Sequence, residues 1–327
     1  MPLRTIMVFL LPLAWIFAAC HSDAVVGAIA IRSAEVKTPE RSDSKLAAHA
    51  NETFREALLD ARFDDLPEAR RLLTAAYLEN PRDPEIALLL AHSHLWALSE
   101  RSRNKAAPDP RVTDHAILSD RYFTEAALLA PEDTRIDGWQ GAVRLTIGSI
   151  HQDQRTTREG YFQLQRAKRQ YPSFNQFSAA YPLSAQPRDS ERFAEAVESM
   201  WANLEACGGD DFDRSSFDYA AMMVNETTQG RLRVCWNTKL VPHNFEGFFM
   251  VMGDVLTKSG DVENARRAYN SARLTPDFAN WRYAPILEAR LANIDARAHA
   301  FEMAKGPEEE PPTMFSSEYA CTGCHAR

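Results

Sequence analysis

From Leu46 to about Ala304 apolar side chains recur at helical spacing, broken by short turns at Pro, Gly, Asp and Asn, and almost nothing alternates with the period of paired strands. That pattern predicts an all-α body. Both ends depart from it. Residues 20–45 are rich in Ser, Asp, Lys and Glu without a sustained period and read as a tether. Residues 305–327 form a tail that opens on Gly306-Pro307 and continues through Glu308-Glu309-Glu310-Pro311-Pro312, a stiff, acidic, helix-breaking linker. Extended, that tail reaches on the order of 45 Å, so its end could sit in the helical body, on its flank or on another protein.

Within the body a spacing repeats. Ala69, Leu73, Ala76 and Pro81 lie four, three and five apart, as do Ser119, Phe123, Ala126, Pro131 and Gly160, Leu164, Ala167, Pro172; Ala265, Tyr269 and Ala272 follow it until Pro276, one place early. Ahead of this last set, Phe245, Phe248, Phe249, Met252, Gly253 and Leu256 share one helix face, and Gly260-Asp261 make the turn. The pattern resembles the tetratricopeptide (TPR) repeat, in which small residues let paired helices approach and a proline closes the unit. The resemblance is good over residues 50–82 and 244–277. Between them the closing prolines are 50 and 41 residues apart rather than the usual 34, so insertions are expected, the clearest from Arg101 to Val112. Residues 173–243 match no defensible repeat position and read as an irregular, disulfide-clipped helical excursion or a badly degraded repeat.

The resemblance implies a TPR-like helical-hairpin solenoid over 46–304, with a concave groove that commonly takes a peptide or a partner protein. Such a stack needs a cap at its end. Leu287, Leu291, Ile294, Ala298 and Phe301 predict one capping helix over 283–304, with Arg290, Asp295, Arg297 and Glu302 beside its apolar stripe.

Arg4 precedes an apolar run from Thr5 to Ala19, the length of a secretory core and short for a spanning helix. Phe17-Ala18-Ala19-Cys20 resembles a bacterial lipobox with Phe17 in place of the more usual Leu. It implies a signal peptide over 1–19 and acylation of Cys20; cleavage after Ala24 is the competing reading. Either places the mature chain on the periplasmic side of a bacterial envelope, with membrane attachment through lipid on Cys20. Of 327 residues 45% are hydrophobic, enough for a sizeable core, and the formal charge of -8 becomes -9 once Arg4 is removed. That acidity argues against nucleic acid as a partner.

The candidate chemistry is at the end: Cys321-Thr322-Gly323-Cys324-His325. Two thiols separated by two residues, followed by an imidazole, resemble the attachment signature of c-type cytochromes, in which the thiols add to haem vinyl groups and the histidine coordinates the iron. The resemblance covers five residues and implies one covalent haem c, held by Cys321 and Cys324 with His325 as proximal ligand. A two-cysteine redox pair, half of a zinc site and coincidence are the other readings. Zinc lacks a second matching pair of ligands, and a thioredoxin-type motif belongs at a helix start in a βαβ unit. Small soluble cytochromes c carry the motif early, with a methionine ligand after it; here only Ala326 and Arg327 follow. Met314, His299, Met303, His92, His94 and His243 are therefore all open as the sixth ligand, as are a ligand from a partner chain and a five-coordinate iron.

Cys207 and Cys235 remain, and in an oxidising compartment a disulfide between them would contribute roughly 3 to 4 kcal/mol by loop entropy. The function expected is electron transfer in an envelope redox complex, the body docking an envelope redox protein or a peptide. An assembly scaffold without redox turnover and a peroxidase-like haem enzyme are the alternatives; no distal acid/base set is identifiable for the latter, so the reading leans away from an enzyme.

Overall fold

The computed structural model describes residues 37–104, 110–210, 212–236 and 243–326; the expected signal peptide and Cys20 lie outside the described residues. Among the described residues there are fourteen α-helices and no strand, as the apolar period predicts. They are α1 (Lys45–Leu59), α2 (Leu66–Glu79), α3 (Pro84–Ser99), α4 (Val112–Leu129), α5 (Arg135–His151), α6 (Gln154–Gln170), α7 (Pro172–Leu183), α8 (Glu191–Gly208), α9 (Tyr219–Met223), α10 (Phe245–Ser259), α11 (Val262–Arg273), α12 (Ala284–Ala292), α13 (Ile294–Met303) and α14 (Thr322–His325). None of them is long and apolar enough to cross a membrane.

Local chemistry sets the boundaries. Ser44, Asp83, Asp153, Ser190, Asn244 and Asp261 each accept a backbone N–H in the first turn that follows, satisfying donors a helix start leaves open. Prolines stand in the first turns of α2, α3, α7 and α12, where their missing N–H costs nothing. Gly260, at φ 93°, ends α10 in the left-handed region and turns the chain into α11.

The helices pack in consecutive pairs, α1 with α2, α3 with α4, α5 with α6, α7 with α8 and α10 with α11, and neighbouring pairs stack on one another. Glycine permits the closest approach: a Cβ on Gly160 of α6 would lie 2.8 Å from the Gly141 carbonyl of α5. The apolar interior falls into two main clusters, one within α1–α5 and one drawn, apart from Ala61, from α7 onward. Cys321 packs against the first and Cys324 belongs to the second, so the CxxCH segment lies across their seam.

The central stretch is more regular than its sequence. Residues 173–243 contain most of α7 and all of α8, packed as a pair like the others. Ala196, Met200, Asn203 and Gly208 take the four-three-five spacing, but asparagine stands at the small position and no proline closes the unit. Asn203 is buried and donates from Nδ2 to the Ser173 carbonyl at 2.9 Å, a hydrogen bond across the pair where a small apolar contact was sought. Cys207 and Cys235 are bonded, with Cα atoms 5.6 Å apart. The expected capping helix is two, broken at Asn293. Leu287, Ile294 and Phe301 are buried as the stripe requires, but Arg290 is buried too, beside Asp254. Of the expected tether, residues 37–44 run along the body, with Ser42 N donating to Asp83 at 2.7 Å and Glu40 N to the Arg82 carbonyl at 2.9 Å.

Candidate functional site

The tail folds back onto the body, and polar contacts from distant elements hold it. Near its start, Glu310 meets the buried Lys258 at 2.6 Å, and Arg297 donates to the Pro312 carbonyl at 2.9 Å. Asp254, on α10, is 1% exposed and pairs with Arg290. It also accepts the Tyr269 hydroxyl at 2.8 Å and the Met314 N–H at 2.7 Å, while Arg290 donates to the Tyr319 hydroxyl at 3.0 Å. A buried carboxylate is tolerable only when its oxygens are satisfied. Here the partners that satisfy it include the backbone of the tail.

The motif is fixed in the same way. Glu100, just past α3, is buried, and its Oε1 accepts the N–H groups of Cys321 at 3.0 Å and Thr322 at 2.8 Å and the Thr322 hydroxyl at 3.0 Å. It thereby caps α14 from 221 residues away. At the other end of the motif Asn244 donates through its backbone N–H to the Cys324 carbonyl at 2.6 Å, and through Nδ2 to the carbonyls of Gly323 at 3.2 Å and Ala326 at 2.7 Å. Trp281 Nε1 adds a donor to Gly323 O at 3.1 Å, and the hydroxyls of Tyr283 and Thr322 lie 2.9 Å apart. Gly247 lets α10 approach the motif: a Cβ there would lie 2.5 Å from Gly323 O and 2.6 Å from Cys324 Cα.

Cys321, Cys324 and His325 thus form part of the wall of a cavity of about 1270 Å³. Other parts of the wall come from the first helix of successive pairs, with Phe54 and Leu58 on α1, Leu88 and Leu95 on α3, and Trp139 on α5. The lining is mainly apolar and the volume exceeds that of most small-ligand pockets. Basic side chains also line it. Arg41 and Arg55 both pair with Glu85, Arg135 forks onto Asp133, and Arg101 donates to the Leu98 carbonyl at 2.9 Å.

Two further imidazoles line the cavity. The ring of His243 lies 4.1 Å from that of His325, centre to centre. His92, on α3, is held between the edges of Phe123 at 5.2 Å and Trp139 at 5.8 Å. Burial, with the charges of His325 and Arg135 nearby, pushes the His92 pKa down to about 3; burial and the other two histidines push His243 down as well. At neutral pH both rings keep the lone pair that coordinates a metal.

Cys321 and Cys324 are free thiols. Burial, with Glu100 beside it, pushes the Cys321 thiol up, and burial pushes Cys324 up to about 12. A dithiol exchange centre works through a lowered pKa, which these surroundings oppose. Two free thiols and an imidazole on one wall of a large apolar cavity fit a covalently held haem.

The remaining sixth-ligand candidates do not line that cavity. His94 sits with Nδ1 at 3.0 Å from His115 Nδ1 and stacks on Tyr122. His299 faces Glu302 at the surface, and Met303 is 63% exposed. Met314 is buried against the backbone of the motif, its methyl 2.1 Å from where a Cβ on Gly323 would stand. The residues that sequence reasoning missed are those that seat the motif: Glu100, Asn244, Asp254 and Trp281. Only Asp254 carries a local signal, a charge inside the apolar run from Phe248 to Leu256.

No protein-family model, curated protein or solved structure matches the chain.

Proposed function

We propose that the chain is an exported c-type haem protein that carries electrons within a redox complex of the bacterial envelope, held to the membrane by lipid on Cys20. One observation carries this reading: the CxxCH segment is seated by buried hydrogen bonds in the wall of a mainly apolar cavity of about 1270 Å³, with two more imidazoles beside it. Cys321 and Cys324 would form the thioethers and His325 would hold the iron. Haem c brings a one-electron iron couple whose potential depends on axial ligand and burial. What this chain adds is a mainly apolar, shaped site in which Glu100, Asn244 and Trp281 fix the motif that would hold the group.

The body reads as a TPR-like solenoid, supported by the spacing of small residues and by first helices that face one common cavity. Its inner face is already engaged by the chain's own tail. A partner, an envelope redox protein or a peptide from one, therefore docks over the mouth near the arginines rather than deep in the groove.

The test uses protein coexpressed with a c-type haem maturation system. Reversible one-electron reduction and reoxidation without sustained turnover of peroxide supports an electron carrier. Sustained peroxide turnover would make it a haem enzyme, and an inert, haem-free protein that still captures a fixed envelope partner would make it an assembly scaffold.

A further inference from the structure

If a haem is held by Cys321, Cys324 and His325, the identity of its second axial ligand follows from which imidazole leaves room for it. Metal–imidazole bonds of about 2 Å on either side of one iron keep the two ring centres roughly 6 Å apart. The rings of His243 and His325 are 4.1 Å apart. They touch, and a porphyrin does not fit between them without moving one.

His92 stands differently. It makes no ring contact with His325 but lines the same cavity. On α3 the cavity face runs Leu88, His92, Leu95, Ser99, at spacings of four, three and four. His92 is half-buried in this mainly apolar stripe, and its ring nitrogens make no hydrogen bond with a described residue yet are not sealed off, so they are open to whatever occupies the cavity. The same stripe ends at Ser99, beside Cys321, so first thiol and imidazole are set by one rigid helix, separated by roughly 10 Å of helix rise. Perpendicular edges of Phe123 and Trp139 fix the ring, at interplanar angles of 89° and 84°. Side chains locked by packing on a regular helix are what a ligand site requires.

We propose that His92 is the second axial ligand, coordinating the iron from the α3 wall of the cavity opposite His325, so that the centre is six-coordinate with two imidazoles. This deepens the haem reading and rests on it.

The experiment is spectroscopic and is made on folded holoprotein matured in vivo. A denaturing gel stained for haem first establishes covalent attachment, independent of any axial ligand. Optical and paramagnetic resonance spectra of the ferric protein then read the spin state. Wild type is expected to be low-spin. His92→Ala should keep its stained band yet turn high-spin, and added imidazole should return it to low-spin; His243→Ala should stay low-spin. His92→Met, which preserves side-chain bulk, should give the distinct spectrum and raised potential of a histidine–methionine iron even if the alanine variant folds poorly. A high-spin wild type overturns the assignment, as does a low-spin His92→Ala accompanied by a high-spin His243→Ala. A wild-type band without haem is a different failure, of the haem reading itself.

Discussion

Glu100 Oε1 accepts both the backbone N–H of Thr322, at 2.8 Å, and its hydroxyl, at 3.0 Å, joining the end of α3 to the CxxCH segment 222 residues later. The carboxylate also pairs with Arg103 at 2.7 Å, so one buried side chain balances a cation and three donors. Removing it leaves those donors in a dry site. Glu100→Ala is expected to lower unfolding free energy by about 2–3 kcal/mol and to make the tail beyond Lys305 sensitive to protease. Glu100→Gln, which keeps an acceptor oxygen, should cost less. Urea denaturation and timed proteolysis check both. Equal stability of Glu100→Ala and wild type would mean that the tail is not held there.

Asp254 and Arg290 form a second clasp, and the asymmetry of buried ion pairs makes it testable. Removing one partner strands the other, at about 3–5 kcal/mol; replacing both with apolar residues of similar size is far milder. Asp254→Leu and Arg290→Met should each be strongly destabilising, and the double variant should recover part of the loss, since the Tyr269, Met314 and Tyr319 contacts and the 3.6 Å pairing of Arg297 with Asp254 then lack a partner. Denaturant midpoints of the four proteins complete the cycle. Simple additivity would contradict the pairing.

The helical body was legible because its signal is local. An apolar side chain every third or fourth residue and small residues at fixed offsets describe a helix pair whatever surrounds it, and Ala69, Ala126, Ala167 and Ala272 are all buried as that pattern requires. The α7/α8 pair escaped because Asn203 keeps the packing by a hydrogen bond instead of small size. The split at Asn293 escaped because the apolar stripe continues through it unbroken. The motif was legible as chemistry, but its seat was not. Glu100, Asn244 and Trp281 reach it through the fold from distant parts of the chain, and no periodicity links them. The Pro-rich linker reads alone as a free tether; its contacts with Lys258 and Arg297 exist only once α10 and α13 are in place.

The Cys207–Cys235 bond closes a loop of 28 residues' separation, for which loop entropy gives about 3–4 kcal/mol. Cys207→Ser/Cys235→Ser should lose that much stability while still acquiring haem, because the bond ties the end of α8 to residue 235 and is not what seats the motif, although both cysteines line a small pocket that Cys324 also borders. Calorimetry and a haem-stained gel check the two halves. Loss of haem at unchanged stability would contradict this separation.

Glu195 gives a sign for acid sensitivity. Burial works to raise its pKa, but hydrogen bonds from Lys168, Gln165 and Tyr161 outweigh it and hold the carboxyl below the ordinary value. A carboxylate with a lower pKa when folded than unfolded stabilises the fold above the unfolded value, near pH 4.5; that contribution is lost as pH falls through the folded value. Glu195→Gln should therefore flatten the fall in stability below pH 5 and change its slope little at neutral pH. Urea midpoints across pH 3–7 test it, and an unchanged acid limb would show that the α6–α8 contact does not persist in solution.

The claim on which the rest depends is that Cys321 and Cys324 carry a haem. A pyridine haemochrome spectrum on protein matured with a c-type haem attachment system, beside Cys321→Ala/Cys324→Ala prepared identically, measures it most directly. The account predicts one haem per chain with the spectrum of thioether-linked haem, absent from the double variant. No covalent haem in the wild type under competent maturation, or equal haem in both proteins, would contradict it.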